Sequence, residues 1–392
     1  MLMKSKKILM VQPNLQPPGG GNGVCAWMLE ALKDEYDISV LSWQPVDLAS
    51  INYYYGTSLT TADIAFYTVN PVLKKLVECI PTPVSLLKWA LHLRSCRKIQ
   101  HNFDILLTCN NEADFGRKGI QYIHFPCLYF PRPKSDLRWY HSIPFSVSLY
   151  RNLCYALIPF SSERVKQNIT LVNSDWIAAM VKERYGDIET TTLYPPIAGD
   201  FPDTDWSDRE NGFVCIGRIS PEKEIEKIID IIRRLRAATG DAHLHIIGSP
   251  DNPEYHARIA KIVRQNSSWI STEHDLPRKA LISLVSSHRY GIHGMTDEHF
   301  GMAVAEMVRS GCIVFVPNSG GQAEIIGDCE RLSYSSVEDA VAKISYVLEN
   351  PDEQALLRAY LTPRRHLFNV ERFIGEVRAI IKEFAKNCRR NS

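Results

Sequence analysis

The sequence predicts an α/β protein of two domains, each a mostly parallel sheet covered by helices. Three observations predict it. Short apolar runs alternate with helical stretches along almost the whole chain. The alternation breaks once, at Tyr194-Pro195-Pro196 and the polar run AGDFPDTDWSDREN, and then restarts. The length of 392 residues, 45% hydrophobic and 23% charged, suits two cores of about 150 to 200 residues each. These place one domain over residues 1–197 and the other over 198–367. The amphipathic stretch Val370 to Asn387, with Phe373, Ile374, Val377, Ile380, Ile381 and Phe384 on one side, forms a last helix.

The first domain opens with strand Ile8 to Val11, a loop Pro17-Pro18-Gly19-Gly20-Gly21-Asn22-Gly23, and a helix Val24 to Lys33. Such a loop aims backbone N–H groups at an anion, although no Gly-x-Gly-x-x-Gly register and no Walker lysine is present. A plain tight turn is the alternative. Strands follow at Ile38 to Ser42, Ile105 to Cys109 and Gln121 to His124. The segment TLVNSDWIAAMVKERYG (170–186) is a strand, a Ser174 cap, a helix and a Gly186 stop.

The second domain begins with strand Gly212 to Ile216, the turn Gly217-Arg218-Ile-Ser-Pro-Glu-Lys223 and the helix EIEKIIDIIRRLR. A strand His243 to Gly248 comes next, then strand His288 to His293 and a polar loop with Glu298. A helix entered at Phe300–Gly301 closes at Gly311, and strand Ile313 to Pro317 completes a βαβ unit.

Composition excludes several classes. A formal net charge of +1 gives no case for nucleic acid. No run of 18 apolar residues is present, hence no transmembrane helix. The ten cysteines fall singly, several in apolar strands, which points to a reducing cytoplasm. Residues 71–100 interleave Lys74, Lys75, Lys88, Arg94, Arg97 and Lys98 with Leu86, Leu87, Trp89, Leu91 and Leu93. That helix lies either on an anionic bilayer at the cytoplasmic face, a peripheral contact, or packs inward as an ordinary surface helix. The aromatic-rich stretch 125–145 is long for a connection and is expected to shape an acceptor site.

The chemistry concentrates at a few positions. Glu298 and Glu306 are eight apart, and on one helix they would stand about 12 Å apart along its axis. They can hold two ends of an extended ligand and cannot share a proton. Two solvated surface glutamates are the plain alternative. Backbone N–H groups at Phe300 and Gly301 suit a phosphate or a sugar oxygen between them. Arg218 and Lys223, on the turn after a strand, are placed to neutralise a leaving diphosphate. His124 ends a strand just before Pro126 and is either catalytic or structural. Asp203-Thr204-Asp205 has the Asp-x-Asp form of a metal site but follows no apolar strand, so no metal is expected there. His243 and His245 share a strand face without carboxylate partners at ligand spacing and are expected to be structural.

The run Glu298-His-Phe-Gly-Met-Ala-Val-Ala-Glu306, with Gly311, Pro317-Asn-Ser-Gly-Gly321 and Glu324, resembles the Glu-x7-Glu signature of the family 4 retaining glycosyltransferases. The resemblance covers the second domain closely and the first loosely. It implies the GT-B fold, two Rossmann-like α/β domains facing across a cleft, with the C-terminal helix 368–392 completing the first domain. It implies that Glu298 holds the donor hexose and Glu306 the nucleotide ribose, and that Arg218 and Lys223 contact the diphosphate. Gly20, Gly21 and Gly23 would face that diphosphate, and Gly217, Phe300, Gly301 and Met302 complete the donor-binding set. His124 becomes the catalytic candidate beside the reacting carbon, with Glu298, Arg218 and Lys223.

The implied activity is a metal-independent, retaining hexosyl transfer by front-face attack, needing no cofactor beyond the nucleotide-sugar donor. By family frequency the donor is a UDP-sugar, with glucose favoured, and the acceptor is a glycan or lipid-linked saccharide of cell-envelope synthesis. The wording Glu298-His-Phe-Gly and Asn318-Ser-Gly-Gly is most similar to the branch that builds lipid-linked oligosaccharides, so a GDP-mannose-dependent mannosyltransferase is the alternative. A catalytically silent, glycan-binding GT-B scaffold is the reading from another class.

Overall fold

The structure, a computed structural model, describes residues 6–17, 19–80, 85–127, 146–157 and 160–390. The chain divides into two compact units, Met1–Pro196 with Val370–Ser392, and Ile197–Asn369.

The first unit holds a seven-stranded parallel sheet made of β1 (Lys7–Val11), β2 (Asp37–Ser42), β3 (Ile64–Thr68), β4 (Ile105–Thr108), β5 (Ile120–Ile123), β6 (Ile169–Val172) and β7 (Thr190–Thr192). Their order is β3-β2-β1-β4-β5-β6-β7. Along β1 the side chains alternate between two cores. Ile8 and Met10 join Val24, Met28 and Val40 on one face, whereas Leu9 and Val11 join Trp89, Leu93 and Phe115 on the other. Burial on both faces explains why these strands read as continuous apolar runs. The helix Val370–Arg390 returns to this unit and buries Phe373, Val377, Ile381 and Phe384 at spacings of one helical turn.

Two expectations need correction here. The first helix spans Gly20–Leu32, so Gly20, Gly21 and Gly23 form its opening turn rather than a loop. The Gly23 N–H donates to the Gly19 carbonyl at 3.1 Å and closes that turn. The basic stretch forms two helices, Pro71–Glu78 and Ser85–Ile99. In the second, Trp89, Leu91 and Leu93 are buried and the Trp89 Nε1–H donates to the Glu112 carbonyl at 3.0 Å, so this tryptophan is a core residue. Exposed apolar side chains lie instead on and just after the first helix, at Val72, Leu76 and Ile80. Most of the aromatic stretch 125–145 lies outside the described residues. Among the described residues no helix is long and apolar enough to cross a membrane.

The second unit holds a six-stranded parallel sheet of β8 (Glu210–Ile216), β9 (Leu244–Ile247), β10 (Ile270–Glu273), β11 (His288–Ile292), β12 (Ile313–Pro317) and β13 (Ser333–Tyr334), in the order β10-β9-β8-β11-β12-β13. The direction of winding reverses between β8 and β11. In open sheets of this kind, ligands sit outside the carboxyl ends of the strands flanking that reversal.

Candidate functional site

Both segments that carry the sequence motif leave from this reversal. The chain after β8 passes through Gly217 and Arg218 into a single tight turn, Pro221–Lys223. The chain after β11 continues the strand by one residue, the His293 N–H donating to the Phe315 carbonyl at 2.9 Å, and then forms the loop with Glu298. The Lys223 ammonium donates to Glu298 Oε2 at 2.5 Å and lies 3.4 Å from the Met295 sulfur. His293 Nε2 stands 3.3 Å from the same carboxylate oxygen. Burial by itself would raise the Glu298 carboxyl, but the charge of Lys223 and the His293 ring together hold it well below the usual carboxylate range. Burial pushes His293 below the ordinary histidine value. The group is therefore a buried ammonium–carboxylate pair beside a neutral imidazole.

The Asn318-Ser-Gly-Gly321 stretch holds this loop from behind. The Asp297 N–H donates to Ser319 Oγ at 3.1 Å, the Gly321 N–H to the Glu298 carbonyl at 2.8 Å, and Gln322 Nε2 to the Met295 carbonyl at 2.7 Å. At Gly320, with φ of 80°, a Cβ would fall 2.6 Å from both the Glu298 nitrogen and its carbonyl oxygen. Only glycine lets the two segments approach so closely.

Glu298 lies outside the helix Met302–Arg309, while Glu306 is on it. The two glutamates thus come from a loop and a helix, not from one helical run. Gly301 caps this helix in a left-handed conformation with φ of 107°, and its first turn, entered at Met302, contains no acidic side chain. Gly301 gives the first N–H groups no side-chain cap, an arrangement that suits an anion. Phe300 is buried, its ring centroid 5.8 Å from that of Phe368. Glu306 is paired with the Arg278 guanidinium, which also donates through Nη2 to the Ala198 carbonyl at 2.7 Å.

Arg218 and Lys223 do not share an acid partner. Arg218 is more than half exposed and pairs with Glu222 at 3.1 Å and with Asp251, whereas Lys223 is turned to Glu298. In the first unit, Gly21 and His124 meet: a Cβ on Gly21 would stand 3.0 Å from His124 Nε2. Asn111 Oδ1 accepts from the His124 N–H at 2.8 Å and fixes the chain where β5 ends. Gly23 is similarly covered by the Tyr55 ring.

Two residues of the site escaped sequence reasoning. His293 closes an apolar strand as His124 does, a signal that was present. Arg278 comes from another helix, and no local pattern ties it to Glu306. Asp203 is nearly fully exposed and faces Arg365 at 3.6 Å. The expectation that His243 and His245 lack carboxylate neighbours is wrong, because Glu210 and Glu273 reach them from adjacent strands.

Residues 198–362 match the family model described as "Glycosyl transferases group 1". The chain is 27% identical over 207 residues to a Xenopus tropicalis protein described as a GDP-Man:Man(3)GlcNAc(2)-PP-Dol alpha-1,2-mannosyltransferase, covering 48% of this chain and 42% of that one. It is 25% identical over 236 residues to human alpha-1,3/1,6-mannosyltransferase ALG2, covering 54% of each. The aligned part thus spans about half the length of these curated relatives. Among solved structures, the Anabaena protein Alr3699/HepE in complex with UDP superposes with a TM-score of 0.68 at 13% identity, over 96% of this chain and 100% of that one. WaaG, a glycosyltransferase of lipopolysaccharide biosynthesis, gives a TM-score of 0.61 at 14% identity, over 95% and 99%. The chain has the GT-B fold, and the glycosyl transferases group 1 match lies in its second unit.

Proposed function

We propose that this chain is a retaining mannosyltransferase that takes mannose from GDP-mannose and transfers it to a lipid-linked oligosaccharide. The observation that carries a transferase reading is the Lys223–Glu298 pair at the sheet reversal, next to an uncapped helix start and with Glu306 one turn further on. A donor diphosphate entering there meets the helix N–H groups and a lysine already desolvated. The lysine joins the carboxylate that would accept the hexose hydroxyls to the phosphate that would leave. Relatives named for GDP-mannose and dolichyl diphosphate acceptors support mannose and a lipid-linked acceptor over the UDP-glucose favoured by family frequency. The exposed Val72, Leu76 and Ile80, close to Lys74 and Lys75, suit a chain that works on a lipid-borne acceptor.

The test is thermal stabilisation by GDP, UDP and ADP without divalent metal, followed by transfer from GDP-mannose and UDP-glucose to lipid diphosphate saccharides. A selective ligand at a hundredfold excess over its Kd stabilises by about 2.7 kcal/mol. A shift with GDP and mannose transfer support the proposal. A shift with UDP alone returns the UDP-sugar reading, and no shift with any nucleotide brings forward the silent scaffold.

A further inference from the structure

At the opposite, amino ends of the second sheet, three histidines from the starts of β9 and β11 converge with one carboxylate from β8, the strand between them. His243 immediately precedes β9 and His245 lies within it, His288 is the first residue of β11 and Glu210 the first of β8. One ring nitrogen of each histidine lies within 4.8 Å of the others. We propose that this cluster is a structural site for one zinc-like divalent cation, separate from the donor site and bound by His243, His245, His288 and Glu210.

Three of the four ligands stand near tetrahedral spacing, and His245 lies within 4.8 Å of the other two rings. Ligands about 2.0–2.1 Å from a zinc ion stand roughly 3.4 Å from one another. His243 Nε2 is 3.3 Å from His288 Nε2 and 3.4 Å from Glu210 Oε2, and His288 Nε2 is 3.9 Å from the same oxygen. Tautomers agree as well. His288 Nδ1 is 2.8 Å from the Leu284 carbonyl, which can only accept, so this nitrogen carries the proton and Nε2 presents its lone pair to the cluster. A backbone carbonyl behind a ligating imidazole is a recurrent supporting contact of metal sites. The third ring is oriented by Ser271 Oγ, 2.7 Å from His245 Nδ1, with Glu273 3.7 Å away.

The backbone makes room for the arrangement. A Cβ at Gly212 would fall 2.1 Å from His243 Nε2, so the ring occupies space that any other residue would fill. His288 is fully buried, whereas Glu210 is more than half exposed and leaves the ion a way in from solvent. Imidazole nitrogens with one carboxylate select zinc, cobalt or nickel over magnesium and calcium, which take oxygen ligands. A bound ion would tie the starts of β8, β9 and β11 together. The competing arrangement is a hydrogen bond from one histidine to the other, with no ion.

The experiment uses the untagged full chain, stripped by chelation and titrated with Zn2+ and, separately, Co2+. Expected are one equivalent of zinc per chain, a rise in Tm, and the intense visible absorption of four-coordinate cobalt. His243→Ala and Gly212→Val should each abolish stoichiometric binding, and Ser271→Ala should weaken it about tenfold or more. Far-ultraviolet circular dichroism shows whether each variant is folded. If His243→Ala unfolds, the supporting-residue variant Ser271→Ala still decides the matter. No zinc bound when the stripped wild type is titrated, equal binding in all variants, or a weak octahedral cobalt spectrum overturns the proposal.

Discussion

Lys223 and Glu298, 75 positions apart in sequence, form a direct ammonium–carboxylate pair at 2.5 Å, each side chain less than one-fifth exposed. The cation expected at the diphosphate and the carboxylate expected at the sugar are thus one electrostatic unit. Removing one partner leaves an uncompensated charge in a poorly solvated place. Lys223→Met should destabilise the second unit by about 2–3 kcal/mol, below the roughly 3–5 kcal/mol typical of fully buried pairs because some solvent reaches this one. The double variant Lys223→Met/Glu298→Gln should recover much of that loss. Urea unfolding of the two single variants and the double gives the coupling, and strictly additive changes would dismiss the pair as a unit.

Arg278 holds Glu306 and the Ala198 carbonyl at once, so it sets where the carboxylate points. If Glu306 receives ribose hydroxyls, Glu306→Gln should weaken GDP binding about tenfold or more, from the loss of charge-assisted hydrogen bonds. Pyrophosphate, which lacks ribose, should bind equally to both. Calorimetric titration of each ligand reads the contrast, and a parallel loss for pyrophosphate would remove the ribose assignment.

Gly21 sits in the first turn of a helix, where alanine normally gains about 0.5–1 kcal/mol. Its added methyl would stand 3.0 Å from His124 Nε2, so the ring must give way by a few tenths of an ångström. Gly21→Ala should therefore keep or raise Tm while transfer slows about tenfold. An unchanged rate would show that the position of His124 does not govern turnover.

The central strands were legible because β1, β2, β4, β5 and β12 are buried almost throughout and read as unbroken apolar runs. Strands β3, β7, β10 and β13 escaped notice for the converse reason. They are short, all four lie at sheet edges, and four of the five residues of β3 are exposed. Glu298, Glu306 and Lys223 were legible because one continuous motif and one strand-end turn carry them. Their partners were not: His293 and Arg278 reach them by folding, and Glu210 and His288 reach His243 from strands far apart in sequence. Spacing along one segment cannot reveal pairs that only a sheet brings together.

His92 gives the first unit a pH dependence whose sign follows from its burial. Its side chain is inaccessible and Nε2 lies 2.8 Å from the Leu41 carbonyl, yet desolvation outweighs that hydrogen bond and lowers the ring to about 4, against an ordinary value of 6.5. The unfolded chain therefore takes up a proton at a pH where the folded chain does not. Above about pH 6.5 both states are neutral at this position and its contribution is constant. Below that, stability falls by up to about 1.4 kcal/mol per pH unit until the folded ring also protonates near pH 4. His92→Gln keeps a donor for the Leu41 carbonyl and removes the titration. It should reduce the slope of unfolding free energy between pH 6.5 and 4 by up to one proton's worth, as measured by urea titrations across that range. A slope equal to that of the wild type would mean that the ring is charged when folded, or that the unfolded chain also keeps it neutral.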